Sequence, residues 1–318
     1  MSTAARAQSA PLAPEKFQDP QRTAKGEARA SVALTALKTL WLNTGTLCNI
    51  ECQGCYIESG PKNDRLAYLT RAEVKAFLTE IKDSNLPTSE IGITGGEPFM
   101  NPDILGILED IMAAGLKALV LTNAMKPLWN RREGLAALHK RFPDRLTLRV
   151  SVDHFDPTRH EELRGAYTWE PMVRGLVWLA ERDFGLNIAG RTRWHEGDDV
   201  MRAGYEKLFA GLGLKVDAWD PVALVLFPEM DETLDVPEIT TACWGILGIN
   251  PDALMCATSR MVVKRKGDAA PTVVPCTLLP YDRAFDLGAT LTEAAGSVAL
   301  NHPHCARFCV LGGGACSA

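Results

Sequence analysis

Six short apolar runs, each separated from the next by helical or turn signals, restrict this chain more than any other feature it has. They cover residues 37–43, 90–94, 116–122, 145–153, 186–190 and 222–227. Most are too short for a helix and rich in Val, Ile, Leu and Thr, the pattern of a buried strand. After the first, Thr70 opens a helix through a capping box with Glu73, and Val74, Phe77, Leu78 and Ile81 follow at helical spacing. After the second, Pro102 marks a helix start, with Ile104, Leu105, Leu108, Ile111 and Met112 behind it and Gly115 as its stop. Further helices are expected over residues 131–141, 171–183 and 199–211. Such alternation builds a parallel α/β sheet through right-handed crossovers. Six units are too few for an eight-fold barrel, and the pattern alone leaves an open sheet and a partial barrel both standing.

Past residue 237 the alternation stops, and Cys, Pro and Gly become frequent. Residues 255–265 and 272–278 read as the arms of a hairpin, which brings Cys256 and Cys276 to its open end. Three regions are therefore expected: a mobile N-terminal tail over 1–29, a barrel over 30–236 and a cysteine-rich extension over 237–318. The tail is rich in Ala, Gln, Pro and Lys and has no apolar h-region, and no run approaches the roughly 20 residues of a membrane span. A cytoplasmic chain without a membrane partner is the expectation. The net charge of −5 gives no basic footprint for nucleic acid.

In that compartment the nine cysteines are unsuited to disulfides, and an odd number cannot pair completely. Three lie within LCNIECQGCY as Cys48, Cys52 and Cys55, spaced C-x3-C-x2-C just past the first strand. That is the edge where parallel α/β proteins build their sites. Three thiolates on one loop can hold three irons of a cubane and leave the fourth open. A zinc site or reduced core cysteines are the alternatives, although structural zinc usually takes four ligands.

C-x3-C-x2-C after the first strand and TGGEP at residues 94–98 after the second resemble the radical S-adenosylmethionine (SAM) superfamily. The resemblance covers residues 37–227 and implies a partial TIM barrel, (β/α)6. It further implies a [4Fe–4S] cluster on Cys48, Cys52 and Cys55 that binds SAM, with an electron donor such as flavodoxin or ferredoxin. Gly95 and Gly96 would let the backbone approach the methionine moiety, and Glu97 would accept from its ammonium. Ser151 and Asp153 would face the ribose and carboxylate, Tyr56 the adenine. Asn123 and Arg191 end strands at the same mouth and are further candidates. Unlike many members, this chain has Gly54, not a bulky residue, before the third cysteine.

The remaining cysteines are Cys243, Cys256, Cys276, Cys305, Cys309 and Cys316, the last three in CARFCVLGGGAC. This region resembles the SPASM and twitch extensions of the same superfamily, which implies one or two auxiliary iron–sulfur clusters. His302 and His304 flank the set as further candidate ligands or as exposed turn residues. The expected activity is radical-initiated hydrogen abstraction from a peptide or small metabolite. A multi-cluster electron carrier and a zinc-stabilised interaction protein are the rival classes.

Overall fold

Burial of the six apolar runs sets the architecture in the computed structural model, which describes residues 10–313. In chain order the strands and helices are β1 (Ser31–Val32), β2 (Thr39–Asn43), α1 (Arg71–Asp83), β3 (Glu90–Thr94), α2 (Ile104–Ala113), β4 (Lys117–Thr122) and α3 (Lys126–Arg141). They continue with β5 (Leu146–Ser151), α4 (Pro157–Arg164), α5 (Trp169–Ala180), β6 (Gly185–Arg191), α6 (Asp198–Leu212) and β7 (Leu224–Phe227). The last are α7 (Cys243–Leu247), β8 (Ser259–Val263), β9 (Thr272–Val274) and β10 (Val298–Ala299). Strands β2 to β7 lie side by side in sequence order, all parallel, in an eight-stranded sheet with β7 and β9 at its edges. This is the partial barrel expected from six units.

Alternation along each strand divides the core into two faces. Leu40, Leu42, Ile91, Ile93, Val120 and Leu148 join the helices in an outer layer. Each such side chain contributes about 1.5–3 kcal/mol when fully buried. Trp41 and Leu119 point inward and meet Met255, Met261, Leu278 and Phe308, which fill the barrel interior. Gly92 makes room for Trp41, because a Cβ there would stand 2.4 Å from the indole ring. The capping box of α1 is formed as expected, Thr70 and Glu73 each bonding the other's backbone N–H.

Three boundaries differ from expectation. The hairpin of the extension is real, but β8 pairs in parallel with β2, Thr39 opposite Ser259, so it widens the barrel sheet rather than standing apart. Residues 10–29 are not a loose tail: Leu12 N–H donates to Thr233 O at 2.7 Å, and Arg29 makes a buried ion pair with Glu238 at 2.6 Å. The remainder of that expected tail, residues 1–9, lies outside the described residues. β1 pairs with β10, and Ala30 and Val32 enter a second apolar cluster with Cys256, Cys305 and Val310. The N-terminal segment thus packs with the extension because its apolar side chains complete that smaller core. No helix among the described residues is long and apolar enough to cross a membrane.

Candidate functional site

The chain leaves β2 at Asn43 and turns at once onto the TGGEP segment that follows β3. Gly96 N–H donates to Gly45 O at 2.8 Å and Glu97 N–H to Leu47 O at 3.1 Å. A Cβ on Gly96 would sit 2.1 Å from Leu47 O, and one on Gly95 2.5 Å from Gly45 O. Both glycines line the central pocket. The close approach that demands them is nevertheless to the cysteine loop itself. Farther along, Gln53 N–H donates to Leu163 O of α4 at 2.7 Å, and Arg191 Nη1 to Gly54 O at 3.2 Å. The loop is therefore held at three places, and Cys48, Cys52 and Cys55 all face the pocket. Burial pushes the Cys48 thiol up to about 12 and raises that of Cys52. Asn123 Nδ2 approaches Cys48 Sγ at 3.8 Å, and Ser59 N–H donates to Cys55 Sγ at 3.4 Å.

The expected SAM-binding residues divide into two groups. Tyr56, Gly95, Gly96, Asn123, Ser151, Asp153 and Arg191 all line the pocket. Tyr56 Oη lies 3.5 Å from Thr94 Oγ1. Glu97 does not line it. Its carboxylate is buried and accepts from Thr122 Oγ1 at 2.9 Å, Asn123 N–H at 2.8 Å and Phe99 N–H at 3.2 Å. Burial raises its pKa to about 7 against those hydrogen bonds. Glu97 thereby braces the loop after β4. Asp153 is likewise engaged: Arg164 clasps its two oxygens at 2.8 and 3.2 Å.

Arg164 lines the pocket and was missed in the sequence, together with the whole of α4. The signals were present: Asp156 caps the helix, Pro157 stands at its first turn and Gly165 follows with φ 98°. Also missed were Phe227, Met230, Thr277, Leu278 and Phe308 on the pocket's far wall. They come from the end of β7 and from the extension, and no local motif marks them. The pocket holds a cavity of about 170 Å³.

A second set of thiols gathers at the opposite end of the strands. Cys256 precedes β8 in a 3₁₀ turn, Cys276 follows β9, and Cys305 and Cys309 share one π-helical turn. Cys276 lies within electrostatic range of Cys305, Cys309 and Cys256, and Cys305 within range of Cys256. Burial raises both, Cys305 to about 12. Cys243, on α7, packs on the apolar cluster that contains Cys256 and Cys305. Cys316 lies outside the described residues. Since Thr39 pairs with Ser259, Cys256 lies near the starting end of β2, whereas the first cysteine loop follows its far end.

His302 and His304 are not exposed turn residues. Both rings are largely buried and turn toward Glu232, with Nε2 at 3.4 and 3.7 Å from its Oε2. His302 Nδ1 accepts from the His304 N–H at 3.1 Å, so its proton resides on Nε2. A metal-bound imidazole normally donates from its other nitrogen. The bonding of His302 is the reverse.

Comparison with known proteins follows the same division. The Radical SAM superfamily model matches residues 42–192, the segment from the end of β2 to just past β6. That segment, just under half of the chain, is a radical SAM domain. Among curated relatives, the antilisterial bacteriocin subtilosin biosynthesis protein AlbA of Bacillus subtilis is 31% identical over 37% of this chain and 25% of its own length. A probable GTP 3′,8-cyclase of Pyrobaculum aerophilum is 30% identical over 44% of this chain and 43% of its own. The chain therefore spans between a quarter and less than half of these relatives. Among solved structures, Streptococcus suis SuiB bound to SAM superposes with TM-score 0.58 at 12% identity, covering 80% of this chain and 64% of SuiB. The anSMEcpe structure with bound AdoMet gives 0.57 at 14%, covering 80% and 79%. These likenesses extend past the family segment and show the shared fold.

The superfamily implies a SAM-binding [4Fe–4S] cluster, and the first cysteine loop fits one. Tetrahedral zinc with Zn–S near 2.3 Å would draw its sulfurs to within about 4 Å of one another. Among the described residues, only Glu232, His302 and His304 bring three such ligand atoms within 4.8 Å of one another. No three thiols of either set come that close together among the described residues, and a cubane, with one sulfur ligand per iron, does not ask them to. With three ligands, a cluster held there would keep one iron free for a further ligand. The second set offers four thiols, Cys256 and Cys305 buried and Cys276 and Cys309 half-buried, a number that suits a fully ligated auxiliary cluster.

Proposed function

We propose that this chain generates a radical from SAM at a cluster held by Cys48, Cys52 and Cys55, and uses it to abstract hydrogen from a peptide or small metabolite. Together the cluster and SAM supply a 5′-deoxyadenosyl radical and methionine once an electron reaches the sulfonium. The observation that carries this reading is the pocket itself, which the three-cysteine loop borders on one side and Thr277, Leu278 and Phe308 of the extension on the other. Tyr56, Asn123, Ser151 and the two glycines surround the position of SAM. The Asp153–Arg164 pair fixes the floor, and Phe227, Met230 and Phe308 exclude water from the substrate side.

Cys256, Cys276, Cys305 and Cys309 are the proposed ligands of an auxiliary cluster, with Cys243 beside them. This cluster would take the electron left on the substrate after hydrogen loss, which makes the net reaction an oxidation. A flavodoxin- or ferredoxin-like donor would supply the first electron. A peptide substrate is supported by the company the fold keeps: SuiB has been solved with its precursor peptide SuiA and anSMEcpe with the Kp18Cys peptide. Anaerobic reconstitution with a strong reductant should yield methionine and 5′-deoxyadenosine, and Cys55→Ala should reduce both to background. Undiminished cleavage in the variant would refute the reading.

A further inference from the structure

Arg260, the second residue of β8, is fully buried, and every hydrogen bond of its guanidinium goes to a main-chain carbonyl. Nη1 donates to Cys256 O at 2.6 Å and Ser259 O at 2.8 Å, Nε to Ala294 O at 2.8 Å and Nη2 to Gly296 O at 2.9 Å. Carbonyls satisfy N–H groups but leave the net charge uncompensated, and an unpaired charge in the interior is strongly unfavourable. Arg29 and Arg265, buried to a similar degree, each meet a carboxylate: Glu238 at 2.6 Å and Asp286 at 2.7 Å. No carboxylate among the described residues pairs with Arg260. What does stand within its electrostatic range is Cys256 and Cys276.

We propose that Arg260 is the counter-charge of the auxiliary cluster, built into the fold to offset its negative charge and to raise its reduction potential. The inference rests on the reading of Cys256, Cys276, Cys305 and Cys309 as ligands of one cluster. Four thiolates outweigh the positive charge of a cubane core in either redox state, and one-electron reduction adds a further negative charge. A fixed cation beside it therefore favours the reduced form more than the oxidised one. The geometry suits that task. Main-chain bonds on three sides prevent the guanidinium from turning away, and one of them ties it to the carbonyl of Cys256. Arg260 is thus a positioning residue that acts through the cluster, and touches no substrate.

The test uses the full chain carrying Cys48/Cys52/Cys55→Ala, so that only the second site holds iron. After anaerobic reconstitution with iron and sulfide, iron content and the midpoint potential, followed by electron paramagnetic resonance, are compared for Arg260, Arg260→Lys and Arg260→Gln. Arg260→Gln should make reduction at least tenfold less favourable, a negative shift of about 59 mV or more for one electron, while Arg260→Lys should stay near the parent value. An unshifted midpoint in loaded Arg260→Gln overturns the proposal. If Arg260→Gln retains no iron, Arg260→Lys decides: a parental midpoint supports the counter-charge, and a tenfold displacement overturns it. If both variants lose iron, thermal unfolding in a Cys256/Cys276/Cys305/Cys309→Ala chain decides. A counter-charge leaves that chain less sensitive to Arg260→Gln than the loaded one, whereas equal sensitivity marks a backbone clamp and overturns the proposal. Absence of iron from the parent would refute the auxiliary-cluster reading first, and this inference with it.

Discussion

The first three cysteines come from one stretch of eight residues, whereas Cys256, Cys276, Cys305 and Cys309 are drawn from three segments spread over 54 residues. The first set owes its geometry to one loop resting on a glycine turn, with α4 beneath it and Arg191 beside it. The second exists only after β8 has joined β2, β9 has folded back and the N-terminal segment has packed on residues 233–240. A site made by one loop should fail locally. A site made by several segments should fail as a unit, and with the small core around it.

The largest test of this difference exchanges the two losses. Cys48/Cys52/Cys55→Ala should abolish deoxyadenosine release yet leave a brown protein with about four irons per chain, one remaining cubane. Cys256/Cys276/Cys305/Cys309→Ala should still cleave SAM. Loss of SAM cleavage in both variants would show that the two regions do not stand apart. Within the second set, Cys256→Ala and Cys276→Ala should each remove the same iron, and the double variant little more, since ligands acting as a unit are non-additive. Additive losses, read by iron analysis, would place the two cysteines on different clusters.

Breaking the buried Arg29–Glu238 pair sharpens the contrast further. Arg29→Ala should cost about 3–5 kcal/mol, because it leaves the carboxylate buried and unpaired. Its effect should fall on iron at the second site, with little loss of SAM binding at the first. Equal losses at both sites would contradict the division.

Acid should act on the first region. His160 of α4 is fully buried and neither ring nitrogen has a protein hydrogen-bond partner. Burial, reinforced by the nearby Arg164 cation, depresses its pKa to about 4. The folded state then binds fewer protons than the unfolded one between pH 6.5 and 4. The stability is complete above pH 6.5 and falls as the pH drops toward 4, by about 3 kcal/mol in all. His160→Leu should flatten that slope in equilibrium denaturation of the cluster-free chain. An unchanged slope would mean that other groups govern the acid response.

The N-terminal segment and α4 show why part of the molecule was not readable in advance. Residues 10–29 are polar and proline-rich, and their order comes from a partner surface more than 200 residues away in the chain. The helix α4 has proper caps but only His160 and Leu163 buried, too few for a periodic stripe to show. Glu97 is a mixed case. Its place in TGGEP was legible, but its hydrogen bonds to Thr122 and Asn123 depend on how β3 and β4 lie together.

What the sequence determined by itself was everything governed by short-range order. Strand and helix periods fixed six β/α units, the capping box fixed the start of α1, and spacing within one loop set three cysteines at a strand end. Tertiary structure alone decided that β8 joins the barrel sheet, that residues 30–32 and 298–310 share a core around the second cysteines, and that Arg260 faces them without a carboxylate. Those facts depend on which distant surfaces meet. Burial rewards many such pairings almost equally per unit area, and only the packing of the whole chain selects among them.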